Sequence, residues 1–280
     1  MTSSNPNRLS ISDAGLIHIA ARSGAENDEV VRSRTTNDAS PRYETPPANL
    51  LVRQAAQRGH TDLGWLSSFH SFSFGGYYDQ NHMGFRSLRV INDDRIAPGH
   101  GFPRHPHRDM EIISYVLDGA LQHRDSTGRG SVISTDDIQM MSAGTGIYHS
   151  EYNPSSESPN HFLQIWIAPS LQGVQPRYRE NVVRADDKTN RWNLIAGPDD
   201  SGAAVGIHQD ARINATLLQK GETLTYDVRR GRHAWLQVAR GEVTVNGTTL
   251  KDGDAVATSR IDELHITSQT NSDLLLFDLA

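Results

Sequence analysis

Short extended segments dominate this chain from residue 50 onward. Apolar or alternating runs are separated by Gly, Asn-Asp or Pro-Gly, and few stretches are long enough for an apolar helical stripe. The runs lie at residues 87–91, 111–117, 162–168, 234–238, 243–245 and 273–277. Asn246-Gly247 adds a strong hairpin signal, because this pair tolerates the positive φ of a type I′ turn. The pattern predicts an all-β chain.

One sequence theme occurs twice. The theme is a strand, a glycine turn, a second strand and an acidic turn. It is predicted once in residues 115–123 followed by Asp137, and again in residues 236–245 followed by residues 251–256. Two copies of one small β-barrel explain this theme, joined where prolines and glycine interrupt pairing at residues 169–179. We therefore expect an N-terminal barrel over residues 47–172 and a C-terminal barrel over residues 173–280.

Residues 1–46 differ from the rest in composition. They are rich in Ser, Asn, Thr and Asp and contain no Trp or Phe, so they cannot bury enough apolar surface to offset the entropy of ordering. We expect a flexible N-terminal extension. The chain also lacks a membrane-length apolar run and the layout of a secretory signal, which predicts a cytoplasmic protein.

Charge and cysteine content narrow the function. There are 27 Lys and Arg against 33 Asp and Glu, a net charge of −6, which argues against direct nucleic-acid binding. Cysteine is absent, so thiolate zinc sites, disulfides and a Cys nucleophile are excluded. Any metal must be held by histidine and carboxylate, and the 13 histidines are a rich supply.

The histidines form two short clusters. His105 and His107 are separated by one residue, and so are His149 and Glu151. Residues i and i+2 share a face on a strand but not on a helix. Both clusters adjoin strand-like sequence, so four N and O donors converge if the strands are neighbours in one barrel. Glu111 is an alternative carboxylate ligand. Its residue number is odd, like those of His105 and His107, so its side chain could lie on the same face of a strand.

These residues resemble a known family. Gly99, His105, His107 and Glu111 resemble the first cupin motif, and Gly146, His149 and Asn153 resemble the second. The stretches at residues 64–66, 70–74, 77–79, 89–94, 105–113, 142–155 and 163–167 are similar to the pirin family, in particular to its bacterial branch assigned as quercetin 2,3-dioxygenase. The similarity runs from about residue 51 to residue 280 and leaves out residues 1–46.

The resemblance implies a bicupin, two tandem cupin-type jelly-roll barrels, with one metal in the N-terminal barrel. It implies His105, His107, His149 and Glu151 as the ligands and leaves Glu111 a supporting or structural role. The C-terminal barrel has no H-x-H pair, and we expect it to be metal-free. Fe(II) is the metal we expect first, because an open His and carboxylate set supports oxygen activation, with Cu, Ni, Mn, Co and Zn as alternatives.

The same resemblance implies a reaction. A dioxygenase would open the central ring of flavonols such as quercetin with O2 and release carbon monoxide. Glu151 would take the flavonol hydroxyl proton if it loosens from the metal. A small aromatic substrate needs an apolar pocket, for which the candidate wall residues are Phe102, Met110, Met140, Met141 and Tyr148, although barrel core is the commoner role for any one of them.

Two other functions stay open. Eukaryotic pirins resemble transcription cofactors whose iron state changes partner binding, so a regulatory metalloprotein without physiological turnover, acting through a protein partner, is one alternative. Another cupin activity, such as isomerisation or decarboxylation of a small polar substrate, is the other, because fold does not dictate function.

Overall fold

The structure is a computed structural model that describes residues 50–135 and 137–280, together with two short strands at Ser10–Ile11 and Ile17–His18. Apart from those two strands, the predicted flexible extension lies outside the described residues. A short 3-10 helix lies at Ala55–Gln57 and one α-helical turn, α1, at Ala185–Lys188. Among the described residues, none of the helices has the length and apolar character needed to cross a bilayer.

Strands make up most of the described chain. In chain order they are β1 (Ser10–Ile11), β2 (Ile17–His18), β3 (Leu51–Arg53), β4 (Gly59–Asp62), β5 (Leu66–His70), β6 (Leu88–Ile96), β7 (Gly101–His107), β8 (Glu111–Asp118), β9 (Ala120–Asp125), β10 (Gly130–Ser134), β11 (Asp137–Ser142), β12 (Ile147–Tyr152), β13 (Asn160–Ile167), β14 (Arg177–Val182), β15 (Asn193–Gly197), β16 (Val205–Gly206), β17 (Ala211–Leu218), β18 (Thr223–Asp227), β19 (His233–Arg240), β20 (Val243–Val245), β21 (Thr248–Leu250), β22 (Ala255–Thr258), β23 (Glu263–Ser268) and β24 (Ser272–Leu279).

Each half of the chain forms a pair of sheets. In the first half a four-stranded sheet, β10-β9-β12-β7, accompanies a seven-stranded sheet, β14-β11-β8-β13-β6-β5-β4. In the second half the four-stranded sheet is β18-β23-β20-β21 and the seven-stranded sheet is β16-β15-β17-β24-β19-β22-β3. The predicted all-β, two-barrel architecture is confirmed. The Asn246-Gly247 hairpin is also present, with positive φ at both residues and Val245 paired to Thr248.

Strand pairing departs from the expected domain boundaries at two places. β3, at the start of the expected first barrel, pairs with β22 of the second half. β14, at the start of the expected second barrel, pairs with β11 of the first half. Each barrel therefore takes its edge strand from the other side of the expected boundary. Sequence composition could not show this, because the prolines and glycines that follow β13 interrupt a strand without stating where the next one pairs.

The two seven-stranded sheets pack against each other and bury the largest apolar cluster of the molecule. This cluster combines Ile113, Tyr115 and Ile165 of the first half with Trp235 and Phe277 of the second. The four-stranded sheet of the first half packs on the other face of its seven-stranded sheet. It carries the candidate functional side chains.

Candidate metal centre

Antiparallel pairing of β7 with β12 places the two histidine clusters side by side. His105 is directly opposite His149 in the register, and a β-bulge follows between His149 and Glu151. Alternation along β7 buries His105 and His107 while leaving Arg104 exposed. Alternation along β12 likewise buries His149 and Glu151. The period of two residues thus turns all four side chains into the barrel.

The donor atoms of this cluster are close together. One ring nitrogen from each of His105, His107 and His149 lies within 4.8 Å of the others. The Nε2 atoms of His105 and His149 are 2.9 Å apart, and Glu151 Oε2 is 4.0 Å from His149 Nε2. The four residues are between 1 and 6% exposed. This donor set of imidazoles and one carboxylate suits a divalent transition metal.

Burial keeps the imidazoles in the form that binds metal. It lowers the pKa of His105 and of His149, and that of His107 to about 3, because the charged form is poorly solvated there. His105 Nδ1 lies 2.7 Å from the Pro103 carbonyl oxygen and donates to it. The Nε2 lone pair of His105 is therefore directed toward the cluster, as a coordinating imidazole requires.

Glu151 is held by hydrogen bonds from the seven-stranded sheet. Gln164 Nε2 donates to Glu151 Oε2 at 2.8 Å, and Ser114 Oγ lies 3.4 Å from Oε1. Burial raises the pKa of Glu151 to about 7, and the hydrogen bonds from Gln164 and Ser114 offset only part of this shift. A bound cation would supply that stabilisation.

His123 on β9 is a fifth member of the site that the sequence reasoning missed. Its Nδ1 lies 3.3 Å from His149 Nδ1, and its Nε2 lies 3.2 Å from Asp125 Oδ2. One arrangement of protons satisfies both contacts: His149 Nδ1–H donates to His123, and His123 Nε2–H donates to Asp125. The shared strand parity of His123 and Asp125 was the available signal, but an isolated histidine on a strand did not stand out.

Glu111 lies elsewhere. It begins β8 in the seven-stranded sheet, because the chain turns at Asp109, which has a positive φ, and leaves β7. Its Oε1 accepts a 2.5 Å hydrogen bond from Ser142 Oγ, and its Oε2 accepts one from the His208 backbone N–H at 3.1 Å. Glu111 therefore joins the two halves of the molecule, while Glu151 is the carboxylate beside the histidines.

A cavity opens from the cluster toward β5 and β6. Its aromatic lining comes from Trp65, Phe74, Phe102 and Trp166. Trp166 packs edge-on against His107, with ring centroids 4.9 Å apart. Of the wall residues predicted from sequence, Phe102 is in place.

The other predicted wall residues lie outside this cavity. Met140 and Met141 are completely buried on β11, Met110 packs against an apolar cluster around Ile112, and Tyr148 is 46% exposed beneath Arg104. The three methionines are apolar for reasons of core packing, which the sequence pattern does not distinguish from ligand binding, and Tyr148 faces outward on β12. The prediction of these four as pocket walls was wrong.

The histidines of the second half do not come together. His208 faces Glu111, His233 bonds Ser259, and His265 pairs with Glu263 at the surface. Within the residues described, the groups of His, Asp and Glu that could share an ion lie in the first barrel: His105, His107 and His149, and an overlapping set of His123, His149 and Glu151.

Paired barrels with imidazole and carboxylate donors inside one of them define a bicupin with a candidate metal centre. The Pirin family model matches residues 51–167, and the model of the quercetinase C-terminal cupin domain matches residues 194–279. The chain belongs to the pirin family.

Individual relatives agree with this assignment. The quercetin 2,3-dioxygenase of Escherichia coli K12 is 44% identical over 230 residues, which are 82% of this chain and 98% of the relative. A pirin-like protein of Caulobacter vibrioides is 42% identical over 79% of this chain and 96% of its own length. The crystal structure of the bacterial pirin YhhW from Escherichia coli in complex with nickel(II) is 43% identical, with a TM-score of 0.78 over 82% of this chain and 98% of that one.

Proposed function

We propose that this chain is a metal-dependent dioxygenase that opens the central ring of flavonols such as quercetin with O2 and releases carbon monoxide. The observation that carries the proposal is a cluster of three imidazoles and one carboxylate at the end of an aromatic-lined cavity. The names of the relatives support the same reaction.

In this proposal His105, His107, His149 and Glu151 are the metal ligands. A divalent cation with one carboxylate ligand keeps a positive charge, and such a centre lowers the pKa of a bound hydroxyl group. Fe(II) is the ion we propose for this chain, with Cu, Ni, Mn, Co and Zn as alternatives. The nickel(II) complex of YhhW makes nickel the first alternative to test.

The cavity residues would bind and orient the substrate. Trp65 and Phe102 meet edge to face with ring centroids 5.6 Å apart, and Phe74 meets Trp166 in the same way at 5.4 Å. Such rings offer a flat aromatic ligand apolar contacts on its faces and edges. They also exclude water from the side of the cluster that faces the cavity.

Turnover of quercetin is the test. Protein loaded singly with each metal is mixed with quercetin under air, and we expect loss of the flavonol absorbance together with carbon monoxide release. Glu151→Gln should lose turnover, and metal retained in this variant would add a base role to the ligand role. The matched control is Glu263→Gln, on the surface of the second barrel, which should behave like wild type.

Other results would favour the alternatives. If no metal form consumes quercetin while iron oxidation changes the affinity for another protein, the chain is a regulatory pirin. Turnover of a sugar or an organic acid instead would indicate a different cupin reaction.

A further inference from the structure

Two buried polar atoms in the cavity wall stand out. Asp94 is 2% exposed and Trp166 is 5% exposed, and both line the same cavity as His105, His107 and Glu151. Among the described residues, neither Asp94 Oδ1 nor Trp166 Nε1 has a hydrogen-bond partner. One is an acceptor when ionised and the other is a donor. Orphaned buried groups are costly, so their presence in a cavity points to a ligand that satisfies them.

The neighbouring polar side chains of this wall satisfy one another. His70 Nδ1 lies 2.8 Å from Asn92 Oδ1 and donates to it, and Thr61 Oγ1 lies 2.9 Å from His70 Nε2. Burial lowers the pKa of His70, which keeps this imidazole neutral. The wall is therefore a set of paired polar groups in which Asp94 keeps one oxygen free.

Glu151 contrasts with Asp94 in this respect. Glu151 Oε2 accepts a hydrogen bond from Gln164 Nε2 at 2.8 Å, and the Ser114 hydroxyl is shared between Gln164 Oε1 at 3.0 Å and Glu151 Oε1 at 3.4 Å. The proposed metal would take a lone pair of Glu151 as well. Asp94 Oδ1 carries none of these contacts. Of the two buried carboxylates in the cavity, Asp94 is thus the one with an oxygen that lacks a hydrogen-bond donor among the described residues.

We propose that Asp94 is a catalytic residue of this cavity that accepts the proton of the substrate's hydroxyl group, while Trp166 Nε1–H donates to another oxygen of the same ligand. This inference rests on the proposed function. The substrate would then carry a hydroxyl group that donates to Asp94 and a second oxygen that accepts from Trp166, both on one planar aromatic system. The apolar rings of the cavity would contact the part of the substrate between these two oxygens.

The proton transfer is balanced. The substrate O–H bond breaks, its electron pair stays on the substrate oxygen, and a new O–H bond forms at Asp94 Oδ1. The proton leaves Asp94 to solvent when the product departs. Glu151 is then free to act as a ligand throughout.

The surroundings of Asp94 favour a carboxyl group that exchanges protons near neutral pH. Burial raises the pKa of Asp94 to about 7, with repulsion from Asp93 and Glu151 adding to the effect and Ser68 and Arg95 opposing it. A general base works best with a pKa near the working pH. The remaining titratable groups of the cavity and of the strands beside β6 are His70, His105, His107 and, bonded to Asp93, His161.

Asp94→Asn tests the proposal, because the amide keeps the size of the side chain but cannot take the proton. We expect unchanged metal content and a fall in quercetin turnover of about 10²–10⁴-fold, with loss of the rise in rate through about pH 7. Trp166→Phe should weaken flavonol binding by about 2- to 12-fold, the value of one hydrogen bond. Asp118→Asn, at an exposed carboxylate on β8, is the matched control.

A second measurement keeps this test separate from the dioxygenase proposal. 3-Hydroxyflavone, which has a single hydroxyl, is bound to metal-loaded protein without O2 at pH 8, and absorbance reports its ionisation while binding heats in several buffers report proton release. Wild type should bind the anion without releasing a proton, because the negative flavonolate oxygen beside Asp94 raises the pKa of this carboxyl in the complex above its value in the free protein. Asp94→Asn should either release one proton or leave the ligand neutral.

The outcomes are distinguishable. If wild type binds the anion in this way but never turns over quercetin, the dioxygenase proposal fails and the role of Asp94 stands. If Asp94→Asn matches wild type in turnover, pH profile and proton release, the inference is overturned whatever the reaction is.

Discussion

The two barrels share one strand arrangement. They differ in the side chains that their four-stranded sheets direct into the barrel. In the first barrel β7 and β12 bring His105 and His149 together. In the second, the strands in the same positions are β18 and β23, where Leu224 pairs with Ile266 and Tyr226 with Leu264. One backbone frame therefore supports either a polar site or an apolar core, and a few inward side chains decide which.

The difference has an energetic side. Buried imidazoles and carboxylates cost free energy unless they are hydrogen-bonded or bound to a cation. The second barrel instead buries Leu264 and Ile266 almost completely among valines and leucines. Each such side chain contributes about 1.5–3 kcal/mol. We infer that the second barrel contributes more to the stability of the molecule than the first, because polar site residues replace part of the apolar core in the first barrel.

The largest expected effect comes from making the first barrel resemble the second. His149→Ala removes the side chain that contacts His105, His123 and Glu151, so we expect loss of stoichiometric metal with the far-ultraviolet circular dichroism unchanged. Elemental analysis of the purified variant measures the metal. The matched control is His265→Ala, which removes an exposed histidine of the second barrel. One metal per chain in the His149 variant would contradict the ligand set.

The converse change should affect stability and leave the site intact. Ile266→Ala empties a fully buried position in the second barrel, and we expect a loss of about 2–5 kcal/mol in the free energy of unfolding. Urea unfolding measures this loss, and elemental analysis should find metal content unchanged. If the variant lost most of its metal as well as its stability, metal binding in the first barrel would depend on the core of the second barrel.

A smaller effect is expected at His123, the partner of His149. His123→Phe keeps the aromatic packing against Tyr178 but removes the acceptor for His149 Nδ1–H. Loss of such an orienting partner weakens metal binding by about 10–100-fold. Titration with nickel(II) measures the affinity, and Asp227→Asn, at an exposed carboxylate of the second barrel, serves as the control. Unchanged affinity would show that His149 is positioned by its strand alone.

Local patterns predicted most of the fold. The apolar runs coincide with strands β6, β8, β13, β19, β20 and β24, and the Asn246-Gly247 pair forms its hairpin, because alternation and turn chemistry act within a few residues. The same period-two rule explains why the H-x-H pair at His105 and His107 faces inward together. Their role as ligands remains a proposal.

Long-range pairing could not be predicted from such patterns. The exchange of β3 and β14 between the halves depends on which edge each strand meets. His123 and Asp94 enter the site only through the positions of β9 and β6 in the two sheets, which local sequence patterns do not reveal. Glu111 has the parity of the histidines but lies on another sheet, since a turn intervenes.

The smallest predicted effect lies at the seam between the barrels. Asp273 on β24 accepts a hydrogen bond from the Tyr115 hydroxyl on β8 at 3.0 Å, and the same hydroxyl accepts one from Lys188 Nζ, also at 3.0 Å. Burial raises the pKa of Asp273 to about 6, although Lys188 opposes the shift. The folded protein therefore holds this proton at pH values where the unfolded chain has released it.

The sign of the pH dependence follows from that difference. Between about pH 4 and pH 6 the folded state binds more protons at Asp273 than the unfolded state, so its contribution to stability falls as pH rises. Asp273→Asn removes this contribution and keeps an acceptor for Tyr115. We expect the wild-type minus variant difference in unfolding free energy to decrease by about 1 kcal/mol over this range, because nearby water screens part of the shift. Urea unfolding at several pH values gives this difference, in which the buried carboxyls of the first barrel cancel. A constant difference would mean that Asp273 ionises at the seam as freely as in the unfolded chain, and that Lys188 fully compensates its burial.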